Sequence, residues 1–279
     1  MKAKSYVGVT GPSTKQEAEQ IVRGFEQAGV SSDSSHLPMI GLLYSSRPKN
    51  KSQFDYRYPH EGDLPEIFEV ISGNNDIFST FHVDTDQPKN LSKIIFAVAD
   101  CLYDTGLCQG MQINVKNPPA EELKKIKNRY GGMKLILQVS KRDVAPFDPK
   151  CIIRYVEPLK ENIDYILIDA SLGKGGEFEA YHCANIYKEV ASVFPEITLG
   201  FAGSLSDKNV YPRVTELAGL IGGSDFFFDA QGGLRDQRDR PKNVDINYFN
   251  EHLYKYTSFN PEKCANYQKK AYQALEFVQ

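Results

Sequence analysis

Tyr165-Ile166-Leu167-Ile168-Asp169 is the stretch on which the fold turns: an unbroken apolar run, two of its residues β-branched, ending in a carboxylate. A run of that length without polar alternation predicts a strand covered on both faces, as in a parallel sheet. Working outward, similar runs return at intervals of roughly thirty residues, at 6–9, 39–44, 77–83, 111–115, 135–139, 197–201 and 226–228. No motif repeats from one unit to the next, so the repetition belongs to the architecture.

Between the runs lie helical periods with end signals. Ser13 with Gln16 predicts a capping box ahead of the stripe Ala18, Ile21, Val22 and Phe25, and Gly29 offers a left-handed stop. Asn90 precedes Ile94, Ile95, Val98 and Leu102, with Gly106 at the end. Pro119 opens a further helix that Gly131-Gly132 closes. Tyr181, Ala184, Tyr187, Val190 and Phe194 give another stripe. Val210, Val214, Leu217 and Ile221 keep the period although Pro212 implies a late start or a kink.

Eight alternating strand and helix units at this length predict a TIM (β/α)8 barrel, read as one domain over 1–279. An open doubly wound sheet is the alternative, but Gly8-Val9-Thr10-Gly11-Pro12 lacks the Gly-x-Gly-x-x-Gly turn expected after its first strand. Two parts stand outside the regular units. An insertion at 45–63 after the second strand is long enough to serve as a lid, and an extra C-terminal helix at 260–279 carries Tyr267, Ala271 and Leu275.

Composition narrows the function classes. The 279 residues hold 33 Lys and Arg against 36 Asp and Glu, a net charge of −3, so nothing drives the chain toward nucleic acid or an anionic membrane. No apolar run is long enough to cross a bilayer and no signal-peptide region is visible, which makes the cytoplasm the expected location. Cys101, Cys108, Cys151, Cys183 and Cys264 are scattered without zinc-ligand spacing and read as reduced packing thiols.

In such barrels the chemistry sits where strands end and the following loops begin. The polar residues there include Thr10, Arg47, His82, Asp84, Asn114, Lys116, Gln138, Lys141, Asp169, Ser171 and Asp229. After the last two strands come Gly203-Ser204 and Gln231-Gly232-Gly233. Glycines let amide N–H groups approach an anion, so Gly203, Ser204, Gly232 and Gly233 are candidate phosphate ligands; they serve equally well as tight turns. Asp169, at the end of a buried strand, is a candidate general acid, with helix capping or pairing to Lys174 as its structural alternative. His82 and Asp84, two apart on a strand, point to one side and can share a proton.

The segments 166–171, Gly173-Lys174-Gly175-Gly176-Glu177-Phe178, 202–210 and Phe228-Asp229-Ala230-Gln231-Gly232-Gly233 resemble the C-terminal half of phosphoribosylanthranilate isomerase, over about a third of the chain. The resemblance implies a ribulose-phosphate-binding barrel with Asp169 as general acid, the glycine loops as the phosphate cup, and Arg47 meeting a substrate carboxylate. It implies altered or lost chemistry too, because Val7 stands where that family has its basic Cys. Asp229 is read as touching substrate or holding its loop. Phe81-His82-Val83-Asp84 also resembles the His-x-Asp metal element of ribulose-phosphate epimerases, but the other ligands are missing, so neither a metal nor a cofactor is expected.

The leading expectation is thus a sugar-phosphate isomerase acting on a small phosphorylated metabolite, with a homodimer compatible with the reading. The alternatives are a non-catalytic phosphometabolite-binding or interaction barrel, a metal-dependent epimerase, and a class I aldolase using Lys116 or Lys141.

Overall fold

The computed structural model describes residues 2–47, 55–169, 179–239, 244–251 and 255–278. Eight parallel strands close on themselves in sequence order: β1 Tyr6–Thr10, β2 Leu37–Ser45, β3 Phe78–Asp84, β4 Gly110–Asn114, β5 Lys134–Ser140, β6 Tyr165–Asp169, β7 Thr198–Ala202 and β8 Phe227–Ala230. Closure is made by β1 pairing with β8, Val7 opposite Phe228 and Gly8 opposite Asp229. The helices α1 Lys15–Gln27, α2 Leu64–Ser72, α3 Leu91–Asp104, α4 Ala120–Arg129, α5 Pro149–Val156, α6 Ala180–Val193 and α7 Val210–Ile221 each follow a strand. After β8 come a short antiparallel pair, β9 Arg235–Gln237 and β10 Thr257–Phe259, with α8 Ile246–Glu251 between them, and then α9 Pro261–Phe277. This is a TIM barrel. Packed against both α7 and α1, α9 closes the helical ring.

Strand periodicity sorts the side chains into two layers. One parity, including Val7, Val9, Ile40, Leu42, Ile166 and Ile168, is buried against the helices. Each such aliphatic contributes about 1.5–3 kcal/mol through removal from water. The other parity fills the barrel. At its N-terminal end Tyr6, Phe78, Tyr165 and Phe227 form an aromatic plug, with Tyr6 and Phe227 4.3 Å apart and Tyr6 and Tyr165 5.6 Å apart between ring centroids.

Several local expectations shift. The first helix is capped one residue later than the Ser13–Gln16 reading: Thr14 accepts from Glu17 N, while Ser13 N and Oγ donate to the Glu17 carboxylate. Asn90 sits at the N-cap of α3 without a side-chain bond to the helix, its Nδ2 donating to Gln87 Oε1, and the Glu122 carboxylate accepts from Ser92 N and Oγ instead. Pro212 lies in the first turn of α7, where a missing N–H is harmless, so neither a late start nor a kink is needed. Tyr181, read as part of an apolar stripe, is exposed, and Cys183 and Ile186 face the core in its place.

Candidate functional site

Above the aromatic plug the barrel interior turns polar. Thr10 of β1, His82 of β3, Gln112 of β4, Gln138 of β5, Asp169 of β6 and Asp229 of β8 all occupy inward positions near the C-terminal ends of their strands, and all are buried. The space comes from glycines on neighbouring strands. A Cβ on Gly41 of β2 would collide with the His82 imidazole, and one on Gly8 of β1 would lie 2.6 Å from Asp229 Cβ. A barrel that served only as scaffold would fill this tier with aliphatic residues, because an apolar core avoids the desolvation of buried polar groups.

The tier is connected. Gln112 Nε2 donates to Gln138 Oε1 at 2.9 Å, and Gln138 Nε2 donates to Asp169 Oδ2 at 2.9 Å. Across the barrel, Thr10 Oγ1 lies 3.5 Å from Asp229 Oδ2. Burial pushes the Asp229 carboxyl up from 3.8 to about 7, and the negative charge of Asp169 adds to the rise while Thr10 opposes it. Burial also drives His82 down to about 3, so its imidazole is neutral at ordinary pH; Nε2 rests 3.1 Å from Thr80 Oγ1.

Asp169 and Asp229, read separately in the sequence, are thus brought within electrostatic reach of one another. His82 and Asp84 share a side of β3, but no hydrogen bond joins them among the described residues. Asp84 stands at the rim, where Arg47 Nη2 pairs with Oδ1 at 2.9 Å and Ser45 Oγ approaches Oδ2 at 3.5 Å. Burial raises the Asp84 carboxyl, and the charges of Arg47 and Arg142 work against that rise. Arg142, which the sequence reading passed over, reaches across to Asn114 Oδ1 at 2.7 Å.

Val7 does not occupy the place of a proton acceptor. It faces the helical layer, and the inward atoms of β1 belong to Tyr6, Gly8 and Thr10. Lys116 and Lys141 are exposed, without the desolvated pocket that an amine nucleophile needs. Among the described residues no three His, Cys, Asp or Glu side chains gather as metal ligands. Ser171, Lys174 and the rest of the glycine-rich stretch 173–178 lie outside the described residues, as does 48–54 of the insertion.

The two glycine loops meet. Gly233 packs so closely on the carbonyl of Leu205 that a Cβ there would collide with it, whereas a Cβ on Gly232 would meet nothing within 4 Å. Gly203 and Ser204 both have positive φ, 133° and 53°. Asn209 pins this turn by accepting from Ser206 N at 2.8 Å and donating to Ser204 O at 2.8 Å. Beside them Gln231 Nε2 is buried with no hydrogen-bond partner among the described residues. It lies against Gly11, whose φ of 87° and missing Cβ leave room for it.

The insertion after β2 returns to the same end of the barrel. Tyr56 N donates to Lys255 O at 3.0 Å, and the Arg238 guanidinium lies 4.4 Å above the Tyr56 ring. Arg235 ties these parts to the mouth: Nη1 donates to Gly11 O at 2.9 Å, Nη2 to Tyr56 O at 3.3 Å, and Nε to Thr257 Oγ1 at 3.1 Å. Tyr58 is raised to about 12 by burial, and the charges it feels include Arg57, Asp84 and Arg47. The insertion therefore reaches the rim between β2 and β3.

The class this architecture defines is the TIM barrel, and solved structures with the same fold agree. A protein of Aquifex aeolicus VF5 aligns with a TM-score of 0.59 at 13% identity, over 98% of this chain and 94% of that one. A spore coat polysaccharide biosynthesis protein of Bacillus subtilis aligns at 0.54 and 12%, over 98% and 69%. A Rubisco-like protein of Rhodopseudomonas palustris aligns at 0.54 and 9%, covering 97% of this chain, which spans 64% of that protein's length. At these identities the likeness is one of fold alone. No family model matches the chain, and no curated protein matches it. Among the described residues no helix is long and apolar enough to cross a membrane.

Proposed function

We propose that this barrel is an enzyme acting on a small phosphorylated sugar or sugar-derived metabolite, and that the reaction is an isomerisation by proton transfer. The observation that carries the reading is the buried carboxyl pair, Asp229 raised to about 7 beside Asp169. A carboxyl raised to about 7 by burial and by its neighbour's negative charge still carries a proton in much of the population at neutral pH and can give it up there. Asp229 then gives its proton to a substrate oxygen, and Asp169, oriented by Gln138, removes one from the adjacent carbon. Returning the protons to the exchanged positions completes an isomerisation with nothing gained or lost. The acid role that the isomerase resemblance assigns to Asp169 passes to Asp229 in this scheme, and a basic Cys is not required.

In this reading the phosphate rests on Gly203, Ser204, Gly232 and Gly233; the open space at Gly232 and the buried Gln231 Nε2, unpartnered among the described residues and an additional donor, support it. Arg47 and Arg142 at the rim favour the approach of an anion, Arg47 partly offset by Asp84.

Turnover measured on a panel of phosphosugars tests the reading through Asp229→Asn and Asp169→Asn. Either substitution lowers kcat by about 10²–10⁴ with KM held within a few-fold. Unchanged turnover on an accepted substrate in both variants removes the pair from the mechanism. The lack, among the described residues, of a hydrogen bond joining His82 to Asp84, which bond Thr80 and Arg47 instead, favours one second reading, a barrel that binds such a metabolite without converting it. Calorimetric binding in the absence of any turnover marks that case.

A further inference from the structure

The chain of amides inside the barrel has a direction. A carboxylate only accepts hydrogen bonds, so Gln138 must present its NH₂ to Asp169. Its carbonyl oxygen then faces Gln112, which must answer with its own NH₂. Both amides are thereby fixed in orientation by the charge at the head of the chain, and the tail is Gln112 Oε1. That oxygen is buried and has no hydrogen-bond partner among the described residues, on a side chain that is 5% exposed. In register beside it on β3 is His82, neutral and bonded to Thr80.

A buried amide oxygen without a partner is destabilising, and buried polar groups in folded proteins are nearly always satisfied. A hydroxyl or amine can satisfy this one, because each brings a hydrogen; a carboxylate, a phosphate or an ether oxygen cannot. β4 stands diametrically across the closed barrel from β8, whose loop carries Gly232 and Gly233. A ligand lodged on the glycine loops would therefore turn its opposite end toward Gln112.

We propose that Gln112 reads the substrate: its Oε1 accepts a hydrogen bond from a ligand hydroxyl, so the site selects polyhydroxylated ligands over deoxygenated ones of the same length and charge. This deepens the phosphometabolite reading and rests on it. Gln112 touches no reacting atom in this role; it sets which ligand is held.

Calorimetry on the folded protein with ribitol 5-phosphate and pentyl phosphate tests the assignment, since the second ligand keeps the anionic end and has no hydroxyl. The unaltered protein binds ribitol 5-phosphate at least about tenfold more tightly. In Gln112→Met, which keeps the side chain's length and removes the acceptor, the two ligands converge to within about threefold while the affinity for pentyl phosphate holds. Equal affinities in the unaltered protein, or discrimination that survives Gln112→Met, overturn the role of Gln112 and leave the phosphate reading standing. A folded protein that binds neither ligand, nor inorganic phosphate, overturns both. A crystal structure with ribitol 5-phosphate supplies the second measurement: a ligand hydroxyl within hydrogen-bond distance of Oε1 supports the assignment, and a water retained there overturns it.

Discussion

Burial pushes Asp229 and His82 toward neutrality from opposite directions, and that makes the pH dependence of stability informative about the site. Asp229 has a folded value of about 7 against an ordinary 3.8, so between pH 4 and 7 the folded chain holds a proton that the unfolded chain has released. Stability therefore falls as pH rises through that window. His82, at about 3 against 6.5, has the opposite sign: between pH 6.5 and 3 the unfolded chain takes up a proton that the folded chain refuses, and stability is lost as pH falls. Each slope is about 1.4 kcal/mol per pH unit, so over the shared interval the two nearly cancel. Asp229→Asn removes one of them. The stability of this variant relative to the parent, from denaturant titrations at pH 4, 5, 6, 7 and 8, should climb by about 1.4 kcal/mol per unit up to pH 7 and then level off. A difference that stays flat across the series would show that Asp229 titrates as an ordinary carboxylate and cannot be the acid held in reserve.

At the scale of elements, Arg235 decides how the two inserted parts sit on the mouth. Its guanidinium is buried and bonded to carbonyls of the β1 loop, the β2 insertion and β10. Arg235→Met leaves those carbonyls without their charged donor, at a cost of about 2–3 kcal/mol. Hydrogen exchange locates the loss: the amides of Tyr56 and Arg238, which donate to Lys255 O and Tyr256 O, should exchange about 10–100-fold faster. The amides of β5 should not change. Equal acceleration in β5 would mean that the staple supports the barrel as a whole and not the insertions.

The eight strands were legible in the sequence because a strand covered on both faces must be apolar at nearly every position, and that signal survives without an alignment. Inward and outward faces were harder, since both are buried. Val7, matched by resemblance to the isomerase's basic Cys, lies on the helix side, and Gly8 and Thr10, small and polar at the alternate positions of β1, mark the inward parity. The same parity signal marks Gln112, a lone amide between Met111 and Ile113. Arg235 offered no such signal, because its partners lie 224 and 179 residues away along the chain. Nothing local to a sequence records a contact of that range.

The whole molecule is asymmetric along the barrel axis. Aromatic rings fill the N-terminal end, and the polar tier lies toward the loops that follow the strands. A hollow of about 340 Å³ at the N-terminal end, lined by Lys2, Lys4, His36 and Asp225 among others, is therefore separate from the proposed site. What completes the helical ring around the closed strands is α9, the last helix, which packs on α1 and α7. Tyr267 Oη donates to Gly8 O at 3.2 Å, Gln268 Nε2 to Ile21 O at 2.9 Å and Tyr272 Oη to His36 O at 3.2 Å. Closure of that ring thus depends on contacts between the two ends of the chain, and two residues of α9 separate packing from mere hydrophobicity. Leu275 is 1% exposed and Phe277 is 73% exposed. Leu275→Ala should lower stability by about 2–5 kcal/mol, a fall in Tm of roughly 2–4 °C for each kcal/mol, with kcat unchanged in the protein that remains folded. Phe277→Ala, nominally the larger truncation, should stay within about 0.5 kcal/mol of the parent, because its ring gains little from the fold that water would not also give it. Thermal melts of the two variants measured side by side decide the matter: comparable losses would place Phe277 in an interface that the isolated chain does not show, and no loss from Leu275→Ala would mean that the ring closes without α9.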